Sequence, residues 1–186
     1  MAWWNDILNK IKIHPKKLNR PSDLELLKEV AKEAAKWIGV HEQKGSPGKG
    51  VNVFRKATDG IASGEPWCAA FVQYCVSAVA LRYGAEISLF PSELCYTIWK
   101  NTPDHYRLSE PLPGSIIIWN YPGTIKGHTG IVLRRLSDPN MVKTIEGNTK
   151  EPTAGADPNT RGVYPKIRCI RGSEDMVVLG YLNPFI

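Results

Sequence analysis

Residues 66–84 read PWCAAFVQYCVSAVALRYG, and this apolar stretch decides the fold because it separates two parts of the chain with different periodicity. Its apolar residues recur at helical spacing. Pro66 suits the first helical position, and Gly84 follows where a terminator is expected. The pattern therefore predicts a core helix over residues 66–83, with Cys68 in its first turn.

The residues before this helix predict one more core helix and a long loop. Ser22 or Asp23 can cap a helix through LELLKEVAKEAAKWIG, and Gly39 marks its end. Residues 41–65 are rich in glycine and predict a loop with a short ordered piece around residues 51–56. Loops of this length inside a compact domain are usually functional or disordered.

The residues after the helix change to the pattern of a sheet. A short helix is predicted over residues 94–99, between two prolines. Short segments rich in β-branched and aromatic residues then alternate with turn residues, which predicts an antiparallel meander of about five strands. These segments are residues 114–121, 128–135, 141–148, 163–170 and 176–182. Helices first and strands second predict an α+β fold.

Composition limits the protein class without choosing a function. The 24 basic and 18 acidic residues give a net charge of +6, which favours anionic surroundings such as nucleic acid, anionic lipid or a cell-wall polymer. Basic and aromatic residues are not interleaved on any predicted strand, so no nucleic-acid partner is expected. The sequence carries no apolar run long enough to span a bilayer and no secretory signal, so we expect synthesis in the cytoplasm.

The N-terminal segment, residues 1–21, is predicted to be separate from the main domain, residues 22–186. Its start, MAWWNDILNKIKI, places apolar side chains on one helical face, and a basic stretch with two prolines follows. Two interpretations are open. The segment is either a small helix docked on the domain or a basic amphipathic helix that contacts an anionic envelope surface.

Cys68 lies where a helix favours an anion. The first amide groups of a helix have no partner within the helix, and the positive end of its dipole lies there. Both effects favour a thiolate, which is the reactive form of cysteine. The same amide groups, including that of Cys68, could receive the oxyanion that forms when the sulfur attacks a carbonyl. We therefore predict that Cys68 is a nucleophile.

A cysteine nucleophile needs a histidine as proton carrier and a polar group that orients the imidazole. His128 is the best-placed histidine, because it opens a predicted strand after a turn. The next strand ends in TIEGNT, where Glu146 and Asn148 should alternate onto one face. Pairing of the two strands would bring His128 to one of these groups, and the sequence leaves open which one.

The remaining cysteines and histidines indicate neither a metal site nor a disulfide scaffold. The four cysteines are too sparse for such a scaffold, and no histidine has metal-type spacing to another ligand. Cys75, Cys95 and Cys169 are interpreted as structural, since each lies in an apolar segment or a strand. No metal and no cofactor are expected.

Four motifs occur in the order PWCAAFVQYC, PGSIIIWNYP, GHTGIVL and TIEGNT, and the chain closes with VLGYLNPF. In this order and context the chain resembles the CHAP family, the cysteine- and histidine-dependent amidohydrolases and peptidases, over about residues 30–186. The resemblance implies a papain-like fold with the nucleophile at a helix N-terminus. It also implies that Cys68 is the nucleophile, that His128 is the general base and acid, and that Glu146 and Asn148 orient and charge-balance the histidine.

The resemblance further implies a substrate, the amide or peptide bonds of bacterial peptidoglycan. Both an N-acetylmuramoyl-L-alanine amidase and an endopeptidase are compatible with the motifs. Some family members bind calcium through closely spaced aspartates before the nucleophile, but here only Asp59 and Glu65 are present, and no calcium site is expected.

A wall hydrolase without a signal peptide looks like a phage endolysin, a monomer that stays in the host cytoplasm until its release and then acts in the periplasm or the wall. Three alternatives remain. They are a wall-degrading effector delivered to rival bacteria, an amidase for small peptide conjugates and an inactive wall-binding module.

Overall fold

The computed structural model describes most of the chain, namely residues 21–43, 49–58, 66–153, 155–157 and 159–186. Residues 1–20 lie outside this set, so both interpretations of the N-terminal segment stay predictions. In the described part of the chain, no helix combines the length and the apolar character that crossing a membrane requires.

Helix α1 spans Asp23–Ala35 and begins with a capping box. The hydroxyl of Ser22 accepts a hydrogen bond from the backbone N–H of Glu25, and the Glu25 carboxylate accepts one from the backbone N–H of Ser22. The predicted helix is confirmed. It ends at Ala35, and turn residues lead on to Gly39, whose φ of 89° explains the choice of glycine. Helix α2, Lys49–Arg55, is the short ordered piece predicted inside the loop.

Helix α3 spans Cys68–Tyr83 and is the central helix of the domain. Gly84 ends it with a φ of 63°, as predicted. Pro66 does not occupy the first helical position, because Trp67 is the N-cap and its backbone is not helical. The helix therefore begins two residues later than predicted, and Cys68 is its first residue. Helix α4, Cys95–Asn101, confirms the predicted short helix, and a 3₁₀ turn follows at Asp104–Tyr106.

A six-stranded antiparallel sheet forms the second layer, which confirms the α+β class. The strands are β1 (Arg107–Leu108), β2 (Ile116–Asn120), β3 (Gly127–Arg135), β4 (Met141–Lys150), β5 (Arg161–Cys169) and β6 (Val177–Leu182). Their order in the sheet is β1-β6-β2-β3-β4-β5. Strands β2 to β5 form the predicted meander.

The meander prediction is wrong for the last strand. Strand β6 crosses back over the sheet and pairs with β2 on the side away from β3. This return gives the backbone groups of β2 a ladder partner on both sides, which an edge strand would lack. Strand β1 has two residues and pairs with β6, and a segment this short leaves no periodic pattern to detect.

The sheet is buried on both faces around β2. Ile116 and Ile118 belong to the main core with α1, α3 and α4, whereas Ile117 and Trp119 belong to a smaller cluster. This division follows from the alternation of side chains along a strand. Helix α3 contacts both β3 and β4, the strands that carry the predicted histidine and carboxylate.

Candidate active site

Cys68 is the first residue of α3 and is 4% exposed. No side chain caps this end of the helix, so the first amide groups remain available to an anion. The backbone N–H of Ala69 is one of the groups that lower the pKa of the Cys68 thiol. The local setting is therefore the one that the sequence predicts, a thiol at an uncapped helix N-terminus.

The start of α3 is held in place through Trp67. Its indole Nε1 donates a hydrogen bond of 3.0 Å to Oε1 of Glu42, which also accepts one of 3.0 Å from Arg55. The indole ring stacks on Phe54 with 5.6 Å between centroids. The residue before Cys68 is thereby fixed on two sides.

Gly147 lets α3 approach the sheet closely. A Cβ at this position would lie 2.6 Å from Cβ of Phe71 and 2.9 Å from the indole of Trp67. A larger residue would push the first turn of α3 away from β4. The glycine of the TIEGNT motif therefore helps to set the distance between Cys68 and the sheet.

His128 lies near the start of β3, opposite Trp119 of β2. The two rings stack with 5.7 Å between centroids, and the histidine is buried. Its Nε2 is 2.9 Å from Oε2 of Glu146. Gly130 lies against the side chain of Glu146, because a Cβ at position 130 would come within 2.7 Å of that side chain. The glycine of the HTG motif therefore leaves room for the carboxylate to reach the imidazole.

Glu146 is fully buried and has partners on both carboxylate oxygens. Arg168 donates to Oε1 from Nε at 2.8 Å and to Oε2 from a terminal nitrogen at 2.5 Å. Thr144 donates its hydroxyl to Oε1 at 2.6 Å. Burial by itself would raise the pKa of Glu146, but the hydrogen bonds and charges of Arg168 and His128 lower that pKa to about 2. The carboxylate is therefore charged at neutral pH.

The pKa values of Cys68 and His128 shift in opposite directions, which favours charge separation between the two side chains. Hydrogen bonds from Cys95 and His128 hold the pKa of Cys68 well below its usual range, although burial opposes this. Burial also lowers the pKa of His128, but its hydrogen bond to Cys68 and the charges of Cys68 and Glu146 raise that pKa to about 10. The favoured state at neutral pH is thus a thiolate beside an imidazolium.

The imidazole has one nitrogen for each partner. Since Nε2 faces Glu146, Nδ1 is the nitrogen that can bond to Cys68. The side chains of Cys68, His128, Glu146 and Arg168 are then linked in series, and this chain of side chains runs from the sulfur to a cation. This chain can hold a proton at the histidine next to a nucleophilic sulfur.

Asn148 does not join this chain. Its backbone φ is 56°, and the pairing of β4 with β5 shifts register between Glu146 and Thr149. The irregularity interrupts the alternation along β4, so the expectation that Glu146 and Asn148 share a face is wrong. Asparagine tolerates the left-handed conformation better than most residues, which accounts for its presence at this bend. Of the two predicted orienting groups, Glu146 contacts the histidine.

Two residues of the site were missed by sequence reasoning. Arg168 lies 22 positions after Glu146, in a segment where its only signal is that of a strand. Cys95 was interpreted as structural, yet its Sγ lies 3.7 Å from Sγ of Cys68. The one available signal for Cys95 is its location at the start of a short helix after a loop.

The other cysteines and histidines lie away from these linked side chains. Cys75 is fully buried in α3, and Cys169 is half-buried at the end of β5, as expected. His41 and His105 lie outside the buried core, while His14 lies outside the described residues. Within the described ranges no group of three or more histidine, cysteine, aspartate or glutamate residues could hold a metal ion. Asp59 and Glu65 fall outside those ranges.

Comparison with known families finds that the model of the CHAP domain matches residues 60–148. The prediction of this family is thereby confirmed, and the matched range contains all four predicted site residues. A CHAP domain implies hydrolysis of amide or peptide bonds, with peptidoglycan as the substrate. Comparison with curated proteins and with solved structures finds no match. Arg168 lies beyond the matched range.

Proposed function

We propose that the protein is a peptidoglycan hydrolase that cleaves an amide or peptide bond of the cell wall by attack of the Cys68 thiolate. The observation that carries this proposal is the buried position of His128, which lowers the pKa of the Cys68 thiol on one side and has its Nε2 2.9 Å from Oε2 of Glu146 on the other. This arrangement matches the requirements of nucleophilic catalysis, namely an activated sulfur, a proton carrier and a group that orients it.

In the first step the sulfur attacks the carbonyl carbon of the scissile bond. The negative charge moves to the carbonyl oxygen, and the uncapped amide groups at the start of α3 are the donors available to it. His128 then gives its proton to the leaving amine, the C–N bond breaks, and a thioester with Cys68 remains.

In the second step a water molecule attacks the thioester. His128, now neutral, accepts a proton from that water, the C–S bond breaks, and the acid product leaves. Glu146 keeps the ring oriented and stabilises the imidazolium whenever it forms, because its own charge is held by Arg168. The sulfur returns to the thiolate.

We further propose the biological role of a phage endolysin. The support is the CHAP domain together with the net charge of +6, which favours contact with an anionic envelope. In this role the protein is a monomer that stays in the host cytoplasm, is released to the periplasm or wall, and uses residues 1–21 to contact the envelope. Presence of a holin gene beside its own gene would support the role, and a neighbouring gene for a cognate inhibitor would favour an injected effector.

The test is mass spectrometry of the fragments released from purified peptidoglycan. Three proteins are compared, the wild type, Cys68→Ala and the matched control Cys75→Ala, which also removes one buried thiol from α3. We expect the wild type and the control to release the same fragments and Cys68→Ala to release none. The fragment masses then distinguish an amidase from an endopeptidase. If the wild type releases nothing, the wall substrate is wrong, and a small-conjugate amidase or a binding module replaces it.

A further inference from the structure

Cys95 lies directly against the sulfur of Cys68. The two Sγ atoms are 3.7 Å apart, and both residues are almost fully buried. This separation is within the range of a hydrogen bond between sulfur atoms. Each cysteine is the first residue of its helix, α3 for Cys68 and α4 for Cys95.

The position of Cys95 is fixed from the α3 side through Gln73. The side chain of Gln73 makes two hydrogen bonds to the backbone of Ser92. Its Nε2 donates to the Ser92 carbonyl at 2.6 Å, and its Oε1 accepts from the Ser92 N–H at 3.2 Å. Ser92 lies three residues before Cys95, so these bonds tie the start of α4 to the first two turns of α3. The contact between the sulfurs is thereby built into the packing of the two helices.

Strand β3 holds Cys95 from the other side. A Cβ at Gly127 would lie 3.3 Å from Cβ of Cys95, and Gly127 is the neighbour of His128. The thiol is thus enclosed between the start of α3 and the start of β3. It has little freedom to turn away from the reacting sulfur.

We propose that Cys95 is a positioning residue for the reaction, whose S–H group donates a hydrogen bond to the Cys68 sulfur and helps to keep it in the thiolate form. The inference rests on the proposed function only in taking Cys68 as the nucleophile. It assigns a role in the reaction to a cysteine that its sequence context marks as structural.

The direction of this hydrogen bond follows from the charges around the two thiols. His128 and the backbone amide of Ala69 also lower the pKa of Cys68, so the negative charge is stabilised on that sulfur. The bond to Cys68 and burial both raise the pKa of Cys95. Cys95 therefore stays protonated and is the donor, while Cys68 is the acceptor.

The test is a titration of the Cys68 thiolate by its ultraviolet absorbance, with each protein measured against the same protein carrying Cys68→Ser. The variants are Cys95→Ala, which removes the donor, and Cys95→Ser, which keeps one. Cys75→Ala is the matched control, because it removes a buried thiol from α3 outside the site. Reducing agent is present throughout, and circular dichroism checks the fold. If Cys95→Ala does not fold, Cys95→Val replaces it, since valine fills the space without a donor.

At a pH below the wild-type midpoint, we expect the thiolate fraction of Cys68 in Cys95→Ala to be about tenfold lower than in the wild type. This is the effect of losing one hydrogen bond to a charged group. Cys95→Ser should lie closer to the wild type, and Cys75→Ala should match it. An unchanged titration in Cys95→Ala, or the absence of a low-pH thiolate in the wild type, would overturn the inference.

The same variants separate this inference from the proposed function. If the protein hydrolyses walls, the acidic limb of its pH–rate profile should move to higher pH in Cys95→Ala. If it hydrolyses no wall but the thiolate titration moves as expected, the role of Cys95 stands and the substrate assignment fails.

Discussion

The first turn of α3 and the third turn of the same helix each bury a cysteine, with opposite consequences. Cys68 is 4% exposed and Cys75 is 0% exposed, so the two thiols differ little in burial. The pKa of Cys68 is nevertheless held well below its usual range, while burial raises that of Cys75 well above it. The comparison shows that burial alone disfavours the thiolate, whereas hydrogen-bond donors around the sulfur can reverse that effect.

The partners explain this difference. At the start of the helix, backbone amides that have no partner within the helix, a histidine and a second thiol lie around the sulfur of Cys68. Two turns later the backbone amides donate to carbonyl groups within the helix. Burial raises the pKa of Cys75 there, and the charge of Glu33 raises it further. The same residue type on one helix thus favours the thiolate at one end and the neutral thiol in the middle.

The strongest test of the comparison exchanges each cysteine for alanine. Cys68→Ala should lower the rate of dye release from labelled peptidoglycan by at least about a thousandfold, because it removes the nucleophile. Cys75→Ala should stay within about twofold of the wild type, since its sulfur does not reach the site. Comparable losses in the two variants would mean that the thiol at the helix start has no special role.

The next largest effect is expected for Glu146→Gln. The amide keeps the size of the side chain but removes the charge that stabilises the imidazolium, so kcat should fall by about 10- to 100-fold. Asn148→Ala should cost less than this, because the imidazole bonds to Glu146 rather than to Asn148. Steady-state rates on purified walls measure both, and a larger loss in Asn148→Ala would reverse the assignment of the orienting group.

Glu146 should also make the fold sensitive to acid. Its pKa is about 2 in the folded protein, below the ordinary value of 4.5, so the carboxylate contributes stability at pH above about 4.5. This contribution is lost as the pH falls from about 4.5 to about 2. The free energy of unfolding, measured by denaturant titration at several pH values, should fall more steeply over this window in the wild type than in Glu146→Gln. Equal slopes would show that Glu146 is not held as a buried anion.

Cys75 should matter for stability rather than for chemistry. Truncation of this fully buried side chain to alanine should cost about 1 to 2 kcal/mol in the free energy of unfolding, through lost packing and a small cavity. Thermal or denaturant unfolding measures the cost. A cost near zero would mean that the middle of α3 is less tightly packed than the structure shows.

The smallest effect is expected from chelation. The sequence offers only Asp59 and Glu65 before the nucleophile, too few carboxylates for a calcium site of the usual six or more oxygen ligands. EDTA should therefore leave the rate of wall hydrolysis within about twofold. A large loss that calcium restores would show that the segment before Cys68 holds a cation that stabilises its position.

Much of the fold could be predicted because the signals are local. The apolar period of residues 66–83, the capping box at Ser22 and the glycine at position 84 each act over a few residues, so they can be recognised without knowledge of any tertiary contact. The strands of the meander were recognisable for the same reason. The return of β6 to β2 was not, because strand pairing depends on the whole sheet.

The sequence by itself determined that a cysteine stands at a helix N-terminus and that a histidine and a Glu-Gly-Asn motif follow on neighbouring strands. Only the tertiary structure decided that Glu146 is the partner of His128, because a bend at Asn148 interrupts the strand. It also decided that Arg168 and Cys95 complete the site, over separations of 22 and 27 residues. Contacts at such range depend on the register of strands and the packing of helices, whereas a sequence pattern reports only the backbone period around each residue.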